Sequence, residues 1–434
     1  MRFCFIIQPE AFRPRPDQLE FWKLTDLSAL QRGLGAVAFC LQRGVSQQVI
    51  KIRQAVYQPV RRASIAIVLP TAPSYVRPSD RIGSTIGAAM FVHDPEKNFE
   101  ALWRTFHNRY PFFALRGVDW DAQYRTYRPK VTKTTTDDDL FQIFSQMLAP
   151  INDGHIRLTM PAAGTRKSRS FCPEKTPRFW QEFTKEQIAE LFKVTERTLR
   201  ANGFGPLRKT AAWMLRYCRS RAFGYIRLLE LEGIGRRNLN AALDVIAADF
   251  ADLNGLLIDV RDCPGGEDSI AIAIANRFCD RRRVAFRRKT KIGPSEDDFT
   301  PLKTWHLEPR GAARFAGPIV LLTCDSVFSG GEAFVLAMKE LPHVTIVGDH
   351  TNGIFSYTLD KRLPNGWRYS LSYQVYLSAD MICYEGSGVP ADIELLNKRA
   401  DIENGSDPLI TRGLEVLRSK SKEAVRDPRP HLSE

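Results

Sequence analysis

The sequence lacks paired cysteines. Cys4, Cys40, Cys172, Cys218, Cys263, Cys279, Cys324 and Cys383 stand singly, with no C-x-x-C among them. That spacing argues against a zinc site or a redox dithiol, so no metal is expected. Nor is it a disulfide scaffold; several of these thiols sit in apolar stretches, where cysteine behaves as a small hydrophobe. Long apolar runs are absent too. None reaches the length of a membrane span. The opening MRFCFII meets Gln8 and Pro9 too soon to form the apolar core of a signal peptide. Histidine is scarce, with seven in 434 residues, so few side chains could act as a base near neutral pH.

Acid is short relative to base, leaving a formal net charge of +13. The excess is spread along the chain and is densest at Arg281–Arg283 and Arg287–Lys289. No aromatic residues interleave with that run in the sequence, and no nucleic-acid motif accompanies it. It reads as a solvated basic surface, with no nucleic acid as partner. Hydrophobic residues make up 44% and charged residues 26%, enough apolar material to build a full core in a chain of this length.

Organisation changes along the chain. Residues 1–89 are arginine-rich and weakly periodic, with a short apolar stretch at 34–41 and a Pro-containing loop at 70–78. They are expected to be a basic extension, with Met90 as an alternative start. Residues 90–158 form a helical N-terminal domain. Phe99, Leu102, Trp103, Phe106 and Tyr110 recur at helical spacing, and a second helix is expected over 137–148. The domain ends in Asn152-Asp153-Gly154-His155, a turn into a strand. Residues 159–222 read as a loop and helical insert, with helices over 185–199 and 210–218. From residue 223 to 400, strands and helices alternate, which is the signature of α/β layers. A C-terminal helix and polar tail fill 401–434.

Ser329 stands out within that core. An apolar strand (318–323) is followed by a turn and then by Ser329-Gly330-Gly331-Glu332, which opens an apolar helix. A serine there meets the positive end of the helix dipole and the free N–H groups of the first turn. That environment suits a nucleophile beside a developing oxyanion. It equally suits an N-cap, and one serine can serve as both. Cys263-Pro264-Gly265-Gly266 ends another strand, and its glycines allow close backbone approach with N–H groups aimed outward. A strand-to-helix turn alone would also explain them. His155 lies in a turn from which its ring can enter a cleft; His343 and His350, which flank a strand, compete with it as base. Glu385 is the acid of a glycine-rich turn, Glu385-Gly386-Ser387-Gly388-Val389-Pro390.

Four segments taken together resemble the S41 peptidases, the tail-specific or C-terminal-processing proteases, and lean toward their tricorn-core branch. They are Asn152–His155, Asp259–Gly266, Ser329–Glu332 with Val347-Gly348-Asp349, and Glu385–Asp392. They occur in the family's order and span about residues 95–396. The resemblance implies a crotonase/ClpP-like core of spiralled ββα units preceded by a small helical domain. It implies Ser329 as nucleophile, with Gly330 and Gly265 or Gly266 forming the oxyanion hole. The processing branch draws its base from a lysine in a Gly-Lys-Gly turn. Here the corresponding turn is Thr351-Asn352-Gly353, with no lysine. The tricorn branch uses a histidine, and His155 matches it.

In that branch a glutamate orients the histidine through a preceding serine. Glu385 matches the glutamate, but Gly154 replaces the serine. The link could then be direct, through water, or through another hydroxyl such as Ser356. The implied activity is hydrolysis of peptide or protein substrates without a cofactor. The insert is too short and too helical for a PDZ domain. The alternative is an inactive, S41-like binding module for peptides or amphiphiles. Relatives are often exported, while the start at Met1 carries no export signal, so no compartment is assigned.

Overall fold

The computed structural model describes residues 50–53, 64–67, 94–164, 166–173, 176–311 and 314–426. The chain divides into two units, residues 1–90 and 91–434. In the first, β1 (Ile50–Arg53) pairs antiparallel with β2 (Ser64–Ile67). The rest of the expected basic extension, including Cys4, Cys40 and Met90, lies outside the described residues.

The second unit opens with three helices: α1 (Pro95–Arg109), α2 (Trp120–Tyr127) and α3 (Asp137–Leu148). Their starts are set locally. Asp94 accepts from the Lys97 N–H, Asp119 from Ala122 and Thr136 from Asp139, each satisfying a first-turn donor. Phe99, Leu102 and Phe106 form the buried stripe of α1 and join Leu140 and Phe144 of α3. That core also contains Leu158, Trp367, Tyr369 and Leu371, contributed by strands described below. The helical segment therefore has no separate core of its own.

Next come β3 (Arg157–Met160) and β4 (Arg169–Phe171), then α4 (Arg178–Glu182) and α5 (Lys185–Ala201). A reciprocal capping box, Thr184 with Gln187, starts α5. The segment expected as a helix over 210–218 is instead a turn over 210–214 that leads into a strand. β5 (Arg208–Lys209) pairs with β6 (Leu215–Arg219), and β6 pairs antiparallel with β7 (Phe223–Leu228). The Thr210 hydroxyl accepts from the Ala212 N–H and donates to the Ala212 carbonyl, which shapes a turn rather than a helix start. Leu215 and Tyr217 are buried against neighbours remote in sequence, and that pairing outweighs local helical spacing.

The core alternates strand and helix: α6 (Arg236–Asp249), β8 (Gly255–Asp259), α7 (Asp268–Ala275), β9 (Arg283–Thr290), β10 (Lys303–Leu307), β11 (Ile319–Thr323), α8 (Gly330–Lys339) and β12 (Val344–Gly348). Then follow β13 (Thr358–Arg362), β14 (Arg368–Ser372), β15 (Gln374–Leu377), β16 (Ile393–Glu394), α9 (Arg399–Glu403) and α10 (Pro408–Arg426). Among the described residues the largest sheet has the order β16-β12-β11-β8-β7-β6-β5. Its centre, β12, β11, β8 and β7, is parallel. Every residue of β8 and β11 is buried, as expected for strands covered on both faces. The fold is thus the expected α/β class with a helical N-terminal region.

Two smaller antiparallel sheets flank it, β10-β9-β15 and β13-β14-β3-β4. The basic run lies on and beside β9. Its side chains are largely engaged within the protein. Arg288 sits over the rings of Trp305, Tyr357 and Tyr376, and Lys289 over Phe299. Arg283 pairs with Asp280. The aromatic partners are distant in sequence, so the run looked unpartnered there.

Candidate active site

The carboxyl ends of the central parallel strands converge, which is where open α/β sheets place their clefts. β8 leads into Val260–Gly266, β11 into Cys324–Ser329, and β12 into Asp349–Phe355. Ser326 Oγ donates to the Arg261 carbonyl at 3.0 Å, tying the first two loops together.

Ser329 occupies the N-cap position of α8, but its side chain makes no capping hydrogen bond. The expected double role as cap and nucleophile does not hold in this conformation, because Oγ caps nothing. The backbone at Ser329 has φ 56° and ψ −128°, a conformation suited to glycine. A non-glycine residue there carries strain of about 1–3 kcal/mol, which the surroundings must offset. They do so through hydrogen bonds. The Ser329 N–H donates to the Ile354 carbonyl at 2.8 Å, and the Ser329 carbonyl accepts from Glu332 and Ala333.

Gly265 (φ 100°) and Gly266 (φ 137°) press directly on this helix start. A Cβ on Gly265 would lie 2.6 Å from the Phe328 carbonyl oxygen and 2.7 Å from the Gly330 nitrogen. A Cβ on Gly330 would lie 2.4 Å from the Gly266 oxygen. The turn is fixed from behind: the Gly265 carbonyl accepts from Leu231 N–H, and Glu267 N–H donates to the Leu231 carbonyl. The structure therefore brings Ser329, Gly330, Gly265 and Gly266 into one backbone cluster.

Glu332, within the first turn of α8, is fully buried and holds the neighbouring loop. It accepts from Thr351 Oγ1 at 2.5 Å, Gly353 N–H at 2.7 Å and Ile354 N–H at 2.6 Å. It thereby fixes the residue whose carbonyl receives the Ser329 N–H. Burial pushes its pKa up to about 8, against those hydrogen bonds.

His155 is buried and sits just before β3, in the small sheet covered by the N-terminal helices. Its N–H donates to Asp153 Oδ1 at 2.9 Å, and its carbonyl accepts from Ser370 Oγ at 2.7 Å. Its Nδ1 lies 3.4 Å from Ser372 Oγ. The competing His343 precedes β12, at the opposite end of the parallel strands. His350 is half-exposed, with Nδ1 2.6 Å from the Thr351 carbonyl.

Glu385 is buried; its Oε1 accepts from Arg116 Nη2 at 3.1 Å and its Oε2 from Phe355 N–H at 3.0 Å. Burial, reinforced by the charge of Asp153, raises its pKa well above the ordinary carboxylate range. Ser356 is committed elsewhere: Oγ donates to the Tyr357 carbonyl and accepts from Tyr373 and Gln374 N–H. The hydroxyl at the His155 ring is Ser372, not Ser356.

Three contributors were not found from the sequence. Arg116 pairs with Glu385 across 269 positions, and no local pattern marks such a partner. Ser372 is an ordinary strand serine. Asp325 accepts from the Arg178 and Phe179 N–H groups, seating α4 on the loop before Ser329. Glu332 lay inside the quoted motif but was given no task; an acid within an apolar helix was the signal. Cys263 and Cys324 flank the cluster, and burial pushes both thiols up to about 12, which leaves them unreactive. Among the described residues no group of acidic, histidine or cysteine side chains could hold a metal, and no helix is long and apolar enough to cross a membrane.

Comparison with known proteins places this arrangement. The profile of Peptidase family S41 matches residues 222–395, and that of the Tricorn protease C1 domain matches residues 91–149. A solved structure from Parabacteroides merdae ATCC 43184, described as a candidate peptidase, is 30% identical with a TM-score of 0.61; the match covers 75% of this chain and 96% of that one. Mature CPAF shares the fold at 12% identity and a TM-score of 0.56, over 77% of this chain and 97% of its own. The carboxy-terminal processing protease CtpA of Bacillus subtilis (strain 168) is 24% identical over 157 residues, 36% of this chain. That match spans 31% of the length of CtpA. The chain belongs to peptidase family S41.

Proposed function

We propose that this protein is a serine-type peptidase in which Ser329 attacks the peptide carbonyl and His155 is the general base. The observation that carries this reading is the state of Ser329: a strained backbone at a helix start, a hydroxyl that caps nothing, and two glycines pressed against the next residue. His155 takes the Oγ proton as the acyl carbon is attacked. The Gly330 N–H, at the head of α8, faces the developing oxyanion.

A second donor comes from the Gly265–Gly266 turn. A trans peptide sets N–H opposite C=O. With the Gly265 carbonyl bonded to Leu231, the Gly266 N–H points away from Leu231, toward the side occupied by Gly330. His155 then protonates the leaving amine, and water clears the acyl-enzyme. Ser372 at Nδ1 orients the imidazole, and Glu385 holds the loop at Phe355. The substrate is a peptide or protein, with no cofactor and no nucleic acid.

A fluorophosphonate probe tests the assignment. Wild type should be labelled, and Ser329→Ala and His155→Ala should each lose labelling. A peptide-library digest should yield cleaved products. Undiminished labelling of Ser329→Ala would refute the nucleophile. No labelling and no cleavage by wild type would favour the inactive binding module.

A further inference from the structure

Between the N-terminal helices and the Glu385 loop lies a buried charge cluster that the peptidase mechanism does not require by itself. Arg116 follows α1 in a turn and is nine-tenths buried. Its Nη2 donates to Glu385 Oε1. Beside it, the Tyr110 hydroxyl donates to Asp153 Oδ2 at 3.0 Å, and Asp153 Oδ1 receives the His155 N–H. The cluster thus touches both the histidine turn and the late glutamate. Its parts come from residues 110–116, 153–155 and 385, three segments far apart in the chain.

The groups facing Glu385 are the carboxylates of Asp153 and Glu332, the Arg116 guanidinium and, through Asp153, the Tyr110 phenol. Cys383, two residues before Glu385, is exposed, and its thiol adds no charge near neutral pH. Three buried carboxyl groups lie near this one guanidinium, and burial pushes two of them, Glu332 and Glu385, toward the neutral form. Arg116 also carries a cost, since its Nε is buried without a hydrogen-bond partner. An orphaned buried donor is unfavourable, and a buried ion pair is weak grounds for stability. What Arg116 supplies is positive charge and a directed hydrogen bond where the two site loops meet.

We propose that Arg116 is a positioning residue of the active site: acting through Glu385, it favours the anionic form of that carboxyl against its burial and holds the Phe355 loop in register with the histidine turn. The helical N-terminal segment is then part of the catalytic apparatus rather than a substrate-selecting attachment. This rests on the Ser329–His155 reading above.

The test uses the full chain and the rate of fluorophosphonate labelling between pH 5 and pH 9. Arg116→Met should slow labelling at pH 7 by about tenfold or more, an effect within the range of a misplaced acid–base group. Its acid limb should move to higher pH, because Glu385 then ionises less readily. Arg116→Lys, which keeps the charge, should recover part of the rate and show a smaller shift. In a Glu385→Gln background, Arg116→Met should add less than about twofold, since the partner is already gone. An unmoved pH profile in both Arg116→Lys and Arg116→Met, or fully additive losses, overturns the proposal. Should Arg116→Met not fold, the Arg116→Lys profile decides alone. Labelling that persists in Ser329→Ala instead overturns the parent reading, so the two failures are told apart.

Discussion

A methyl group on Gly265 would sit 2.7 Å from the nitrogen of Gly330. It would also sit 2.6 Å from the Phe328 oxygen, and since both neighbours are backbone, neither can swing aside. Gly265 also has φ 100°, a region L side chains rarely enter. Gly265→Ala should therefore push the Pro264–Gly266 turn away from the start of α8. Loss of one oxyanion donor typically costs 10²–10³ in kcat. We expect kcat to fall by about that factor, with a loss of stability on the order of 1–3 kcal/mol. Steady-state peptide hydrolysis and denaturant melts measure the two effects. A variant with near-wild-type kcat would mean the turn does not contribute to the site.

Glu332 gives a pH signature. Its folded pKa, about 8, lies above the ordinary carboxylate value, so the folded state holds this proton more tightly than the unfolded chain does. The stabilising contribution is full below the unfolded pKa, about 4.3, and is lost as pH rises through about 8. Wild type should lose stability across that window, by an amount on the order of a few kcal/mol from this group. Glu332→Gln should flatten the slope. Urea unfolding at pH 5, 6.5 and 8.5 reads the difference between the two proteins. Parallel curves would show that Glu332 does not titrate in that window.

Much of the core was legible because its signals are local. The apolar runs at β8 and β11, the glycines after them and the helix caps are written within a few residues of where they act. For that reason the sequence singled out Gly265, Gly266, Ser329 and Gly330, which the structure brings into one backbone cluster. The stretch 210–218 misled because pairing with β7 decided its structure, and pairing is not visible in a short window. Arg116 and Ser372 were illegible for the same reason at longer range: their partners lie 269 and 217 positions away. The strain at Ser329 has no sequence sign, since serine is an ordinary residue at a helix start.

Two residues past the end of β8, Arg261 is fully buried between two carboxylates. Nη2 lies 2.7 Å from Asp259 Oδ2 and 2.9 Å from Asp407 Oδ2, while Nη1 donates to Asn397 Oδ1 at 2.7 Å. Asp407 also receives Thr195 Oγ1 and the Leu409 N–H. Asp407→Ala should leave the guanidinium with one carboxylate instead of two. Breaking such a buried pair costs about 3–5 kcal/mol. Denaturant melts should show a loss of that order, and Asp407→Asn a smaller one. A loss below about 1 kcal/mol in Asp407→Ala would contradict this role.

The Arg261–Asp407 pair also imposes an order on assembly. Arg261 leads straight into the Cys263–Gly266 turn, yet its second carboxylate is made 146 residues later. A chain growing from its N-terminus has already produced Ser329, His155 and both site glycines while that guanidinium still lacks its partner. The histidine turn likewise waits for β14 to give β3 its second neighbour, β4 being the first, and Glu385 comes later still. The Arg261 pair and the Glu385 contact can therefore form only after residue 407 and residue 385 have been made.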